Sequence, residues 1–381
     1  MKKMLLAVLI AALAISPATA LAAGEENGGA PGFFGEQADA AGVGRLEKAV
    51  PEAAGEILGD MKVADALDAE GAVSRLVSGV ISRLRGIVAS SLKSAAAVVS
   101  AAMLSGVFSA AFPGKGGNYA RLAGVLAISA VSVSGVNAFI GMGGGVMDEL
   151  AMFSKALLPC LAAASAAGGA ITSAAVKYSA TVMFLDFAIS VMRSVIMPLI
   201  YAYAALSSAE AAVSAAGGGA PGADALAGAS SLVKWLAKTA LTCVALAFLT
   251  YTSLTGVIAS ASDAVAVRAA KVAMSTALPV VGGILADAAD TVMSGAILLR
   301  NAVGVFGFLA VAAVCAAPFI KLGVNYMLYK AAGGLAGAVA DKSASKLIDA
   351  FGAALGLTLG MTGVTAVMLF VSIVSAIKAA T

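Results

Sequence analysis

From Val73 onward the apolar residues recur at intervals of three and four: Val73, Leu76, Val77, Val80, Ile81, Leu84, Ile87, Val88 and Leu92, with Arg75, Arg83, Arg85 and Lys93 between them. That period is helical and predicts a basic amphipathic helix over residues 71–93. Such a helix either lies in a membrane interface or packs on a partner helix. Past Lys93 the apolar runs lengthen to the roughly 20 residues needed to cross a bilayer. Seven windows qualify: Ser94 to Phe112, Leu122 to Met142, Ala156 to Val176, Thr181 to Ala205, Ala237 to Ala259, Ala302 to Ile320 and Gly352 to Ile377. An eighth stretch, Thr276 to Leu299, is apolar but carries Asp287 and Asp290 and opens on Pro279 with Gly282 and Gly283. It reads as a broken or re-entrant helix. The expected fold is therefore all-α: a polytopic helical membrane protein with about seven transmembrane helices plus that segment, the transmembrane domain covering residues 94–381.

Composition agrees with the pattern. Of 381 residues, 61% are apolar and 12% charged, where soluble domains run near half and a quarter. The N-terminal residues read differently. Lys2 and Lys3, an apolar run from Met4 to Ile15, and the small residues Ala18 to Ala23 have the order of a secretory signal peptide, residues 1–23. Cleavage is expected between Ala20 and Ala23; an uncleaved first anchor is the alternative. Residues 24–70 then hold eleven acidic groups against three basic ones. Rich in Gly, Pro, Glu and Ala, this segment is expected to be flexible or weakly helical and extracytoplasmic. Starting outside, seven spans place Lys115, Arg121, Lys177, Arg268, Lys271, Arg300 and Lys378 in the cytoplasm, as the positive-inside tendency favours. Lys330, Lys342 and Lys346 then fall outside.

Several chemistries drop out. There is no histidine, so the usual general base and zinc ligand are missing. Cys160, Cys243 and Cys315 are far apart with no paired spacing. No glycine stands five residues ahead of Gly114 to complete a Walker A loop at Lys115, and the run from Gly141 reaches Val146 where G-x-G-x-x-G needs its third glycine. The reading is of a non-enzyme with no cofactor, no metal and no nucleic acid; any ATP energy comes from a partner. An intramembrane aspartyl protease pairing Asp186 with Asp287 lacks the Gly-Asp motif it needs.

Polar residues inside apolar helices are the candidate sites. A charge there is costly and faces a partner or an aqueous cavity. Asp186 and Arg193 sit seven apart, two turns along one helix, and are candidates for a polar path or subunit contact, with a snorkelling residue at a misplaced helix end as the plainer account. Asp287 and Asp290, three apart after Pro279, Gly282 and Gly283, form the sharpest group, because a broken helix is tolerated where protein or water surrounds it. Arg268, Lys271 and Arg300 bracket them as candidate counter-charges. Gly352, Gly356 and Gly360 recur every four residues and read as a helix-packing face. With 43 glycines in the chain, the pair Gly141 and Gly145 carries little weight.

Three strings resemble a known family. They are RAAKVAMSTALPVVGGILADAADTV from Arg268, followed by LLRNAVGVFG with Asn301; GGAITSAA, Gly168 to Ala175; and MPLI, Met197 to Ile200. With the span layout they resemble the stage III sporulation protein AE family over roughly residues 70 to 378. The resemblance implies a subunit of the channel complex between mother cell and forespore, a secretion-like assembly in the mother-cell membrane. Its implied partners are ring-forming membrane proteins and a cytoplasmic secretion-type ATPase, and its implied role is an export-platform or pore subunit supporting forespore development. Two other classes stay open on the residues alone: a stand-alone ion-coupled transporter using Asp287 and Asp290, and a structural scaffold indifferent to both.

Overall fold

The computed structural model describes residues 31–112, 115–169, 171–217, 221–277, 282–339 and 341–377; over 255–277 and 282–292 it describes the helical backbone alone. In chain order, α1 (Pro31–Ala41), α2 (Val43–Lys48) and α3 (Glu52–Leu58) are short, and a 3-10 turn follows at Val63–Leu67. The long helices are α4 (Ala69–Ala111), α5 (Lys115–Ala167), α6 (Ile171–Val191), α7 (Met197–Gly217), α8 (Pro221–Ala277), α9 (Gly282–Val339) and α10 (Lys342–Ile377). A π-helical turn, Met192–Ile196, joins α6 to α7 without a break. Among the described residues there is no strand.

Six stretches of these helices are long and apolar enough to cross a membrane: Glu70–Ala111, Gly116–Ala167, Tyr178–Gly217, Gly222–Leu254, Met293–Ala338 and Lys342–Ile377. The protein is an all-α, polytopic membrane protein. One window of the sequence reading resolves differently in detail. Ala156 to Val176 is not one helix, because α5 runs on to Ala167 and ends where Gly169 adopts φ +89°, a conformation that costs glycine little. Within Thr276 to Leu299, read as a broken or re-entrant helix, α8 ends at Ala277 and α9 is helical without interruption from Gly282 through the Ala302 to Ile320 window. Pro279 lies between them, outside the described residues. One consequence concerns the ends of the bundle. Arg121 lies 3.7 Å from Asp341, so the start of α5 and the start of α10 with Lys342 share one end rather than opposite ones.

Within the segment expected to be flexible or weakly helical, residues 31–68 form short helices that pack on the bundle. Residues 1–30, with the signal-peptide reading, lie outside the described residues, but α1 to the 3-10 turn bury Val43, Leu46, Ala54, Ile57, Leu58, Met61, Val63 and Ala66 against the bundle. The acidic average concealed enough apolar positions to fold onto a ready surface. Ile57 packs where Gly79 leaves room, since a Cβ there would come within 3.0 Å of it. The Val63 N–H donates to Glu47 Oε1 at 2.9 Å, and Arg83 pairs with Glu56 at 2.9 Å. Asp68 then caps α4, its carboxylate accepting from the Gly71 N–H at 3.1 Å, which satisfies one of the first-turn donors.

The centre of the fold is the antiparallel pair α9 and α10. A Cβ on Gly333 would meet the Asp349 backbone, one on Gly352 Tyr329, one on Gly356 Tyr326, and one on Gly304 Ile377, so the order reverses along the two helices. Hydroxyls within this apolar interior are satisfied locally. Thr358, Thr362 and Thr365 are fully buried and donate to the carbonyls of Ala354, Thr358 and Met361 at 3.1 to 3.2 Å, the i−4 bond open to Ser and Thr in helices. Asn325 reaches across to α4, its Nδ2 donating to Ser91 Oγ at 2.8 Å.

A candidate polar site at a widened helix turn

Pro198 sets the local geometry. It has no N–H to donate, and its ring excludes the carbonyl four residues back, at Ser194. The chain accommodates it by widening: the Met197 N–H donates to the Met192 carbonyl, five residues back, and the helix resumes. Such π turns recur at functional sites. Arg193 is the second residue of this turn, and its Nη2 lies 2.8 Å from Asp148 Oδ2 on α5.

Three helices meet here because α5 is glycine at the crossing. A Cβ on Gly144 would stand 2.9 Å from Arg193 Nη1 and 3.1 Å from Met197 Cε, and one on Gly143 would press on Thr358 and Thr362 of α10. Behind the ion pair, Thr365 Oγ1 lies 3.3 Å from the sulfur of buried Met192. The pair itself is open, with side-chain exposures of 40% for Arg193 and 45% for Asp148. Both lie on helices apolar enough to cross a membrane. A charged pair left half-exposed by its own chain on such helices is best accommodated against water or protein. The arrangement can line a polar path or accept another subunit. Among the described residues no three cysteine or carboxylate side chains converge as a metal would need.

The sequence reading picked Arg193 but not its partner. Asp186, read with it as a candidate for a polar path or subunit contact, is exposed, and the ion pair of Arg193 is with Asp148. Asp148 falls between two apolar windows and carried no signal, and Gly143 and Gly144 stood inside a glycine run that fails as a phosphate loop. Gly352 and Gly356 lie against α9, where a Cβ on Gly356 would come within 2.8 Å of the Tyr326 ring; Gly360 faces Leu241 of α8. Pro279 is outside the described residues. Gly282, Gly283, Asp287 and Asp290 fall on the first turns of α9, where the backbone alone is described.

Asn301 is half-buried on α9, and Arg300 beside it is, among the described residues, the largest fully buried side chain, 1% exposed, with Nε and Nη1 lacking any hydrogen-bond partner there. From Asp290 to Arg300 runs continuous helix, about 15 Å of rise. That exceeds the one-turn spacing at which side chains on a helix meet; the side chains of Asp287 and Asp290 lie outside those described.

Residues 56–380, which include α4 to α10 and every residue of this polar site, match the stage III sporulation protein AE (spore_III_AE) family. The chain belongs to that family. It is 28% identical over 186 residues to the stage III sporulation protein AE of Bacillus subtilis (strain 168), a match that covers 49% of this chain and 45% of that relative. The matched region thus spans less than half of the relative's length. No solved structure matches the chain. The stage III sporulation protein AE family is a sporulation family and not a known enzyme family, so the multi-pass helical bundle described above belongs to a sporulation-related membrane protein.

Proposed function

We propose that this protein is a membrane subunit of a secretion-like channel complex that links mother cell and forespore and supports forespore development. It sits in the mother-cell membrane around the engulfed forespore and contributes no catalysis of its own. Its partners are the other subunits, among them ring-forming membrane proteins and a cytoplasmic secretion-type ATPase that supplies the energy this sequence has no Walker A loop to obtain. The observation that carries the reading is the Arg193–Asp148 pair, half-exposed on family-matched apolar helices, a surface that suits water or a neighbouring subunit better than lipid. Gentle detergent extraction of sporulating cells tests the proposal. The protein is expected in a large complex containing the ATPase. Recovery solely as a monomer that transports ions when reconstituted alone would overturn it in favour of an ion-coupled transporter.

A further inference from the structure

Three apolar windows reach their limit at one place in the bundle. Thr181 to Ala205 closes there, and Ala237 to Ala259 and Gly352 to Ile377 open there. The side chains that meet at that limit are Tyr203 on α7, Lys234 on α8 and Asp349 on α10. Lys234 Nζ lies 5.4 Å from the centre of the buried Tyr203 ring, a favourable place for an ammonium. The charged side chains near enough to act on Lys234 are Lys330, Asp349 and Lys238. Carboxylates do not balance these lysines. Asp349 is paired with Lys330, and Glu210 accepts from Ser230 Oγ, one turn before Lys234, at 3.2 Å. Among the described residues neither Lys234 nor Lys238 has an acidic partner within 4.0 Å.

The outer side of α8 at this level is apolar. Trp235, the single tryptophan of the chain, is 62% exposed, and Leu232 and Leu236 are exposed beside it. Trp235 stands about 60° around the helix from Lys238. Exposed Leu246 and Leu249, three and four turns further into the apolar window, fall within about 40° of Trp235. Lysines at the edge of a lipid-facing apolar row, with a tryptophan at the end of the span, have the form of a headgroup site: tryptophan favours that level, lysine stems cross apolar surface to reach it, and basic pockets between spans hold anionic headgroups. One ligand answers both surfaces. We propose that α8 binds an anionic phospholipid here, its phosphate against Lys234 and Lys238 and its acyl chains along Trp235, Leu246 and Leu249. This site goes beyond the subunit role above and does not rest on it.

Trp235 supplies the probe, since all tryptophan fluorescence of the chain comes from it. Full-length protein is reconstituted in phosphatidylcholine bilayers containing the same mole fraction of either brominated phosphatidylglycerol or brominated phosphatidylcholine. Stronger quenching by the anionic lipid is expected. Lys234→Gln with Lys238→Gln should remove that excess while leaving quenching by brominated phosphatidylcholine unchanged, which shows Trp235 still at the same depth; Lys238→Gln alone, at an exposed position, should lower the excess without touching the packing at Tyr203. Equal quenching of the wild type by the two lipids would overturn the proposal, leaving an interfacial face without a site. Quenching by neither would overturn it as well, because the face would then lie under protein or outside the bilayer. An excess that survives in both variants would take the lysines out of the site and overturn it too.

Discussion

Arg193 reaches from the widened turn to Asp148 on α5, Nη2 to Oδ2 at 2.8 Å, and both side chains remain near half-exposed. Each is the other's neutralising charge within helices otherwise apolar. Arg193→Ala leaves Asp148 as a lone carboxylate, and losing a charged hydrogen-bond partner costs about 1.5–3 kcal/mol. Spore yield is expected to fall at near-normal protein abundance. The exchange Arg193→Asp with Asp148→Arg keeps the pair and should recover much of the yield; failure to recover while the protein accumulates normally would point to a specific need for the guanidinium on the turn.

Packing between α9 and α10 depends on Gly356. A Cβ there would lie 2.8 Å from the edge of the Tyr326 ring, so Gly356→Leu forces the helices apart, and overpacking of this kind costs about 1–3 kcal/mol. Lower abundance and impaired assembly are expected for Leu, with a smaller effect for Ala. Wild-type thermal stability of the purified Leu variant would mean the ring swings aside and that the face is not set by the glycine.

Replacing Asp287 and Asp290 together with Asn keeps side-chain size and removes both charges. If these residues on the first turns of α9 serve a polar path or a subunit contact, spore yield collapses while membrane insertion and abundance hold. Wild-type yield from the double variant leaves them a structural part only, and a joint fall of yield and abundance signals misfolding.

Arg300 offers a contrast between stability and use. Burying a guanidinium with two unsatisfied donors is unfavourable, and well-packed apolar replacements of buried charges are often neutral or stabilising by about 1–4 kcal/mol. Arg300→Met is therefore expected to melt no lower than the wild type in detergent. Loss of sporulation in that variant, with stability intact, would assign Arg300 to a contact made in the assembly. A lower melting temperature would instead mean that the purified chain satisfies the guanidinium itself.

How much of this could be read in advance follows from where the information lies. Long apolar runs and helical periods are local, so the all-α membrane class was legible, whereas the joint at Gly168–Gly169 was hidden inside an apolar window that runs across it. The continuity of α5 was not: Asp148, Glu149 and Lys155 interrupt its hydropathy and Pro159 its hydrogen bonding, yet the helix persists from Lys115 to Ala167 because its neighbours bury Leu150, Phe153, Leu157 and Leu161. The same holds for the site. Arg193 stood out as a charge in an apolar run, but its partner sits on another helix, and no spacing along the chain encodes that pairing. The small residues at 143 and 144 look like composition until the helices they admit are known. Buried apolar side chains of α2 and α3 were likewise masked by the acidic residues around them.

The π turn at Met192–Ile196 carries one residue more than a regular turn would, which rotates everything after it by about 100° relative to an even helix. Before the turn, Phe184 faces α8, its ring centroid 5.5 Å from that of Phe248 and 5.6 Å from that of Tyr251. After it, Ile200, Tyr203, Ala204, Ser207 and Ala211 are buried in step, and Lys234 lies over the Tyr203 ring at 5.4 Å. The two halves of this rod are thus out of phase with each other and in phase with their surroundings. Deleting one residue between 192 and 196 is not a local lesion: it would re-index the whole of α7, swinging Tyr203 off Lys234 and presenting its buried row to the outside, whereas the same deletion in a solvent loop would pass almost unnoticed.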